Sequence, residues 1–231
     1  MKIYAISDLH LSAGDKPMDI FGGNWENYEK IIENNWKEKV AEDDVVLVCG
    51  DLCWAIKLEE AGPLYDYIAK LPGKKVFIRG NHDYWWKSIS AVRDFLPVNC
   101  YALQNDAIKI GKFVFCGSRG WSVGDKNQTE EDIKLFNREV LRMELALTDA
   151  KRIMEEGDKI IVLTHFPPFD SLRQQNDMTK LFERFGVNKV VYGHLHGKNV
   201  RADKVVDING IKYYLSSCDQ VDNDLVFIDE E

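Results

Sequence analysis

The chain has no apolar run that approaches the roughly 20 residues needed to span a bilayer, so a membrane-spanning helix is not expected. Its first residues, MKIYAISD, enter a strand directly. They lack the basic stretch and longer apolar stretch of a secretory signal, so the expected location is the cytoplasm. Cysteine pairs in CxxC spacing are also missing. The five cysteines (Cys49, Cys53, Cys100, Cys116 and Cys218) are an odd number, and three of them lie in or beside apolar strands, where reduced cysteine behaves as a small hydrophobe. Only Cys53, two residues past Asp51, is close to a candidate site, and packing is its expected role. Basic excess is absent too. The formal charge of −8 argues against a long nucleic acid as the main partner, because such binding needs a cationic footprint. A small phosphorylated substrate remains compatible, since two bound divalent cations add about four positive charges locally. Repeats, low-complexity tracts and flexible linkers are lacking, so residues 1–231 read as a single domain.

What is present is a sequence of strands that end in chemistry. KIYAIS (2–7) is a continuous apolar strand followed by Asp8-Leu9-His10. Residues 11–23 read as a loop. Asn24 is the expected N-cap of a helix carrying Tyr28, Ile31, Ile32, Trp36 and Val40 at helical spacing. DVVLVCG (44–50) ends in Gly50-Asp51. A helix follows over 57–71, with Pro63 near its first turn, and KKVFIRG (74–80) ends in Asn81-His82-Asp83. Residues 84–98 are aromatic and irregular, a helix or lid. Short strands fill 101–117, with IKIGKFVF as a hairpin. After a polar loop at 118–128, Thr129 and Asp132 cap a long amphipathic helix. It carries Ile133, Phe136, Val140, Met143, Leu147 and Met154, and Gly157 ends it. KIIVLTH (159–165) and NKVVYGH (188–194) are strands ending in histidine, with a short helix at 178–185 between them. IKYYLSS and DLVFID read as a closing hairpin, and the acidic end, Asp229 to Glu231, as solvated. The pattern is α/β (α+β in some schemes): mixed sheets covered by helices, with the strand ends meeting on one edge, where such sheets place their sites.

The five histidines (His10, His82, His165, His194 and His196) all fall at or just past strand ends, beside Asp8, Asp51 and Asn81. Asp8 and His10 are two apart, as are His194 and His196, so on an ideal strand each pair shares a face. Carboxylate with imidazole suits Mn, Fe, Zn, Co or Ni better than Mg alone. There are too many donors for one tetrahedral site, which favours two metals. Two cations roughly 3.5–4 Å apart can share a water, lower its pKa to supply hydroxide near neutral pH, and clamp phosphoryl oxygens. Arg119 is a candidate phosphate contact or a surface ion pair. Trp85, Trp86 and Trp121 are candidates for an aromatic wall, with packing the plainer reading.

D-x-H, G-D, G-N-H-D, T-H and G-H-x-H, in that order from residue 8 to residue 196, resemble the calcineurin-like metallophosphoesterase superfamily. The N-terminal SDLHLS also resembles a bacterial group of predicted phosphohydrolases. The resemblance implies two sheets packed as a sandwich flanked by helices, a four-layer architecture. It implies one metal held by Asp8, His10, Asp51 and His196, and a second held by Asp51, Asn81, His165 and His194. Asp51 would bridge, and the metals would be Mn, Fe, Zn or Ni. His82 would protonate the leaving oxygen, and Asp83 is a candidate orienting partner for a nearby group. The expected activity is phosphatase or phosphodiesterase, with nucleotide pyrophosphatase as a variant and a catalytically silent partner-binding scaffold as the alternative of another class.

Overall fold

The computed structural model describes residues 1–12, 17–124 and 128–231. Residues 13–16 and 125–127, within the loops expected at 11–23 and 118–128, lie outside the described residues. The chain runs β1 (Lys2–Ile6), α1 (Tyr28–Lys39), β2 (Val45–Val48), α2 (Leu58–Ala69), β3 (Lys74–Ile78), α3 (Ile89–Phe95) and β4 (Cys100–Leu103). It continues through β5 (Asp106–Ile110), β6 (Phe113–Ser118), α4 (Glu130–Ile153), β7 (Lys159–Thr164), α5 (Asp177–Arg184), β8 (Lys189–Tyr192), β9 (Val205–Ile208), β10 (Ile211–Leu215) and β11 (Val226–Glu230).

These strands form two mixed sheets, in the orders β11-β1-β2-β3-β4 and β5-β6-β7-β8-β10-β9. β1 to β4 are parallel in the first, and β6, β7, β8 and β10 in the second; β11, β5 and β9 run antiparallel on the edges. Each central strand is apolar on both faces because both are covered. Ile3, Ala5, Val45, Leu47, Val76 and Ile78 point between the sheets and meet Phe113, Phe115, Ile161 and Leu163. Their alternates, Tyr4, Ile6, Val46, Val48 and Phe77, pack on Ile32, Trp36, Tyr65, Ile68 and Val92 of α1, α2 and α3. Val114, Cys116, Ile160 and Val162 pack on Met143, Ala146, Leu147 and Ala150 of α4. The period of two along each strand therefore creates three apolar layers, and with them the four layers of structure that the family resemblance implies.

Several local expectations are corrected. The N-cap of α1 is Asn27, at φ 53°, while Asn24 lies in a short 3-10 turn and bonds the Asp219 carbonyl. Pro63 falls inside α2, past its first turn. The Thr129–Asp132 capping box forms as expected, but α4 ends at Ile153, before Gly157, and Ile133 faces solvent. The closing hairpin does not form. β10 pairs with β9 across Asn209-Gly210 and with β8, and β11 crosses to the other sheet beside β1. The Asn-Gly turn at 209–210 is a strong local hairpin signal that the sequence analysis passed over. Asp229 is not merely solvated: it pairs with Lys159 at 2.8 Å and Lys189 at 2.9 Å.

Leu47 is fully buried between the sheets. Leu47→Ala is expected to lower the unfolding free energy by about 2–5 kcal/mol, read by urea denaturation; a loss within error would show that the inter-sheet layer collapses around the cavity.

Candidate metal centre

The loops leaving β1, β2, β3, β7 and β8 carry the candidate metal donors and His82 to one edge of the sandwich. The first two loops are zipped together: Asp8 N–H donates to the Gly50 carbonyl (3.1 Å), His10 N–H to Asp51 (3.0 Å) and Leu11 N–H to Leu52 (2.9 Å). Asp8, His10, Asp51 and His194 all have positive φ, at 55°, 43°, 54° and 70°. Asp8 and His10 therefore do not share a face as neighbours on a strand, as their spacing suggested. Tight left-handed turns aim them instead, each costing an L-residue roughly 1–2 kcal/mol. The pair His194 and His196 is likewise split between two groups of donors.

In the first group, one donor atom each from Asp8, His10, Asp51 and His196 lies within 4.8 Å of the others, and Asp8, His10 and Asp51 are buried. His10 Nε2 is 3.4 Å from His196 Nε2 and 3.8 Å from Asp51 Oδ2. In the second, Asn81 Oδ1 is 2.6 Å from His165 Nε2 and 3.0 Å from His194 Nδ1. Asp51 Oδ2 stands between the groups, 3.4 Å from His165 Nε2. Glycines permit this density. A Cβ on Gly193 would fall 2.5 Å from Asp8 Oδ2, and one on Gly80 would collide with Asp51 Oδ1.

The electrostatics leave one carboxylate uncompensated. Asp8 accepts from the Ser7 hydroxyl (2.6 Å), the Ser217 hydroxyl (2.8 Å) and the His194 amide (3.0 Å). Burial acts to raise its pKa, yet the His165, His196 and His10 imidazoles and the Ser7 hydroxyl hold it below the usual value. Asp51 is pushed up to about 9 by burial, with Asp83 and Asp8 adding to the effect, and its Oδ2 is buried without a hydrogen-bond partner among the described residues. Burial pushes His10 down to about 3 and His194 down to about 4, and it also lowers His165. These imidazoles are thus neutral near pH 7, and the Ser7, Ser217 and His194 donors sustain the Asp8 charge. His165 Nδ1 donates to the Cys49 carbonyl at 2.8 Å, which leaves the Nε2 lone pair facing Asn81 Oδ1 and Asp51 Oδ2. Lone pairs turned toward one another around an unpartnered carboxylate oxygen are what a cation would satisfy.

The remaining candidates separate. His82 is half-buried, its ring 5.6 Å from His10 and 5.0 Å from Trp54, and its amide donates to Asp51 Oδ1 at 2.8 Å. Asp83 accepts from the amides of Gly80 (2.7 Å), Asp51 (2.9 Å) and Leu52 (3.0 Å), so it orients backbone, tying the β2 loop to the β3 loop. Trp85 and Trp86 are buried in the helix-side core and form no lid or substrate wall. Trp121 packs at a tilt against Phe166, ring centroids 5.3 Å apart, and the Arg119 guanidinium lies over Trp121, 5.1 Å from its centroid. Trp54, stacked on His10 at 4.6 Å, and Ser217 are site residues outside the candidates read from the sequence. Trp54 was detectable from its place three residues after Asp51; Ser217 had no local signal, since it reaches Asp8 from the far end of the chain.

Together, the sandwich and the buried carboxylate–imidazole cluster define a metal-binding α/β protein. The family model for calcineurin-like phosphoesterases matches residues 1–198, and the chain belongs to that family. Members of this family typically bind divalent metals. An uncharacterized protein of Methanocaldococcus jannaschii is 36% identical over 84 residues, which is 36% of this chain; the match spans 47% of that relative, about half its length. Among solved structures, phosphopantetheinyl hydrolase from Mycobacterium tuberculosis has a TM-score of 0.54 at 15% identity and covers 100% of this chain and 96% of its own. A protein from Thermus thermophilus has a TM-score of 0.55 at 11% identity, covering 98% and 97%. At these identities the likeness is one of fold. Among the described residues no helix is long and apolar enough to cross a membrane.

Asp83→Ala strips an acceptor from three buried amides. It is expected to cost roughly 3 kcal/mol of stability and to weaken Mn²⁺ binding, measured by denaturation and by calorimetry; unchanged Mn²⁺ affinity would show that Asp51 holds its position without Asp83.

Proposed function

We propose that the chain is a dinuclear-metal-dependent phosphoesterase acting on a small phosphorylated substrate, with residues 1–231 forming one such domain. The observation that carries this reading is the Asp51 Oδ2 atom, buried, unpartnered and shared by two groups of donors. The donor chemistry fits Mn, Fe or Zn. Asp8, His10, Asp51 and His196 would hold one ion, and Asp51, Asn81, His165 and His194 the other. When bound, such ions activate a water and offset phosphoryl charge.

The chain's own residues do the rest. Asp51 supplies the charge common to both positions, and the neutral Asn81 adds an oxygen donor without further negative charge. His165 is fixed in one tautomer by the Cys49 carbonyl. His82 is the proton donor to the leaving oxygen. Burial, with the His196 imidazole, holds its pKa below the ordinary value, and a phosphoryl anion beside it would restore the protonated form. The scaffold alternative gains no support from lost residues, since all eight positions are filled. The acidic balance opposes a long nucleic acid as substrate. A reducing, cytoplasmic setting accords with five buried free thiols.

Metal analysis of the purified protein is expected to give about two ions per chain, with hydrolysis of nitrophenyl phosphate esters on adding Mn²⁺. No metal uptake and no turnover would sink the proposal. Asp51→Asn is expected to reduce metal content to well under half, checked by the same analysis. His82→Ala is expected to keep the metals and to slow hydrolysis about 10²–10⁴-fold, most for poor leaving groups. An equal loss for good and poor leaving groups would remove the acid role.

A further inference from the structure

A cavity of about 400 Å³ opens beside His194. Its inner wall is made by Phe166, Phe169, Tyr192, Leu195 and Val206. Of these, Phe166, Tyr192 and Val206 are almost entirely buried in the fold. Phe166 sits 4.2 Å, ring to ring, from His194, so the apolar wall runs directly into the second group of donors. Phe169 is held edge-on by Tyr192 at 5.5 Å and by Tyr213 at 5.3 Å. Polar groups line the rest of the cavity, with Ser122, Ser171 and Arg201 among them. There Arg173 and Asp203 pair with each other, and Asp170 is occupied by the amides of Leu172 and Gln174. Rigid aromatic walls and this volume suit a flat ring lying against Phe166 and Phe169, with the polar lining left to its edge.

The position of His82 decides which part of a substrate the cavity receives. His82 stands on the His10 side of the centre and does not line the cavity; His194, on the other side, does. The leaving oxygen must be near His82 to take its proton. A group seated beside His194 is therefore attached to phosphorus but is not the group that leaves. A monoester has no such second substituent. We propose that the substrate is a phosphodiester, or an ester of the same monoanionic form, whose retained substituent is a flat ring held against the aromatic wall of this cavity. The inference rests on the phosphoesterase reading above. In the reaction, a water oxygen forms the new bond to phosphorus. The bond to the leaving oxygen breaks with its electron pair remaining on that oxygen, which takes the His82 proton. The water gives up its proton to solvent, His82 is reprotonated from solvent, and the ring departs on the monoester product.

The test uses the Mn²⁺-reconstituted full chain and two esters with one leaving group, p-nitrophenyl phenylphosphonate and p-nitrophenyl methylphosphonate, alongside the monoester p-nitrophenyl phosphate. The phenyl ester is expected to exceed the methyl ester in kcat/KM by at least about tenfold, the scale set by burying one ring. Calorimetry is expected to show phenylphosphonate binding about tenfold tighter than methylphosphonate. Ala202→Trp, which fills the cavity from its outer wall, is expected to bring both ratios close to one. Val200→Phe is a second filling variant in case the first does not fold. Ratios near one in the native protein, or ratios that neither variant changes, would overturn the ring pocket. A higher kcat/KM for the monoester than for both phosphonate esters would overturn the assignment to diesters. Preferential phenylphosphonate binding with no turnover of any ester would instead overturn the phosphoesterase reading and leave the ring pocket standing.

Discussion

Asp51 is held where a carboxylate is least comfortable: buried, near two other carboxylates, with one oxygen lacking a donor among the described residues. Much of the surrounding structure serves to keep it there. Asp83 grips its amide and those of Gly80 and Leu52, and the β1 loop is zipped onto the β2 loop by backbone bonds. Gly80 leaves room where any side chain would collide with the carboxylate. An isolated buried charge is costly enough that the group ordinarily neutralises or finds a counter-charge. Next to imidazoles that burial keeps neutral, this carboxylate has, among the described residues, the surroundings that a cation from outside the chain would satisfy.

The sandwich explains how such a site is tolerated. Left-handed backbone at Asp8, His10, Asp51 and His194 and a cluster of desolvated polar groups all work against folding. They are offset by three apolar layers, in which central strands bury both faces and α1, α2 and α4 seal the outer sides. The parallel strands of both sheets deliver their C-terminal ends to one edge, so residues from Asp8 to His196 meet without long loops. The same edge carries the aromatic surroundings of the two donor groups. Trp54 lies against His10 on one side, and Phe166 against His194 on the other. That asymmetry gives the centre one side next to His82 and another walled by Phe166.

The alternation of apolar strands with amphipathic helices, and the placing of every histidine at a strand end, are written directly into the chain. Both are local properties: a covered strand must be apolar throughout, and a helix must repeat at 3.6 residues. From them the mixed-sheet α/β class, the capped helix α4 and the set of candidate donors were legible in the sequence, while the two-sheet sandwich was implied by the family resemblance. The sheet that each strand joins was not, because pairing is settled by long-range packing. DLVFID was read as the partner of IKYYLSS because the two are neighbours in sequence, yet β11 closes the opposite sheet against β1. The aim of the donors is likewise a tertiary matter. The spacing of Asp8 and His10 suggested a shared strand face, but positive φ turns direct them, and turn geometry depends on the loops packed alongside. The Ser217 hydroxyl on Asp8, the burial of Trp85 and Trp86 and the cavity beside His194 join residues far apart in the chain. No periodicity encodes such contacts, because they arise only when separate strand ends are brought to one edge.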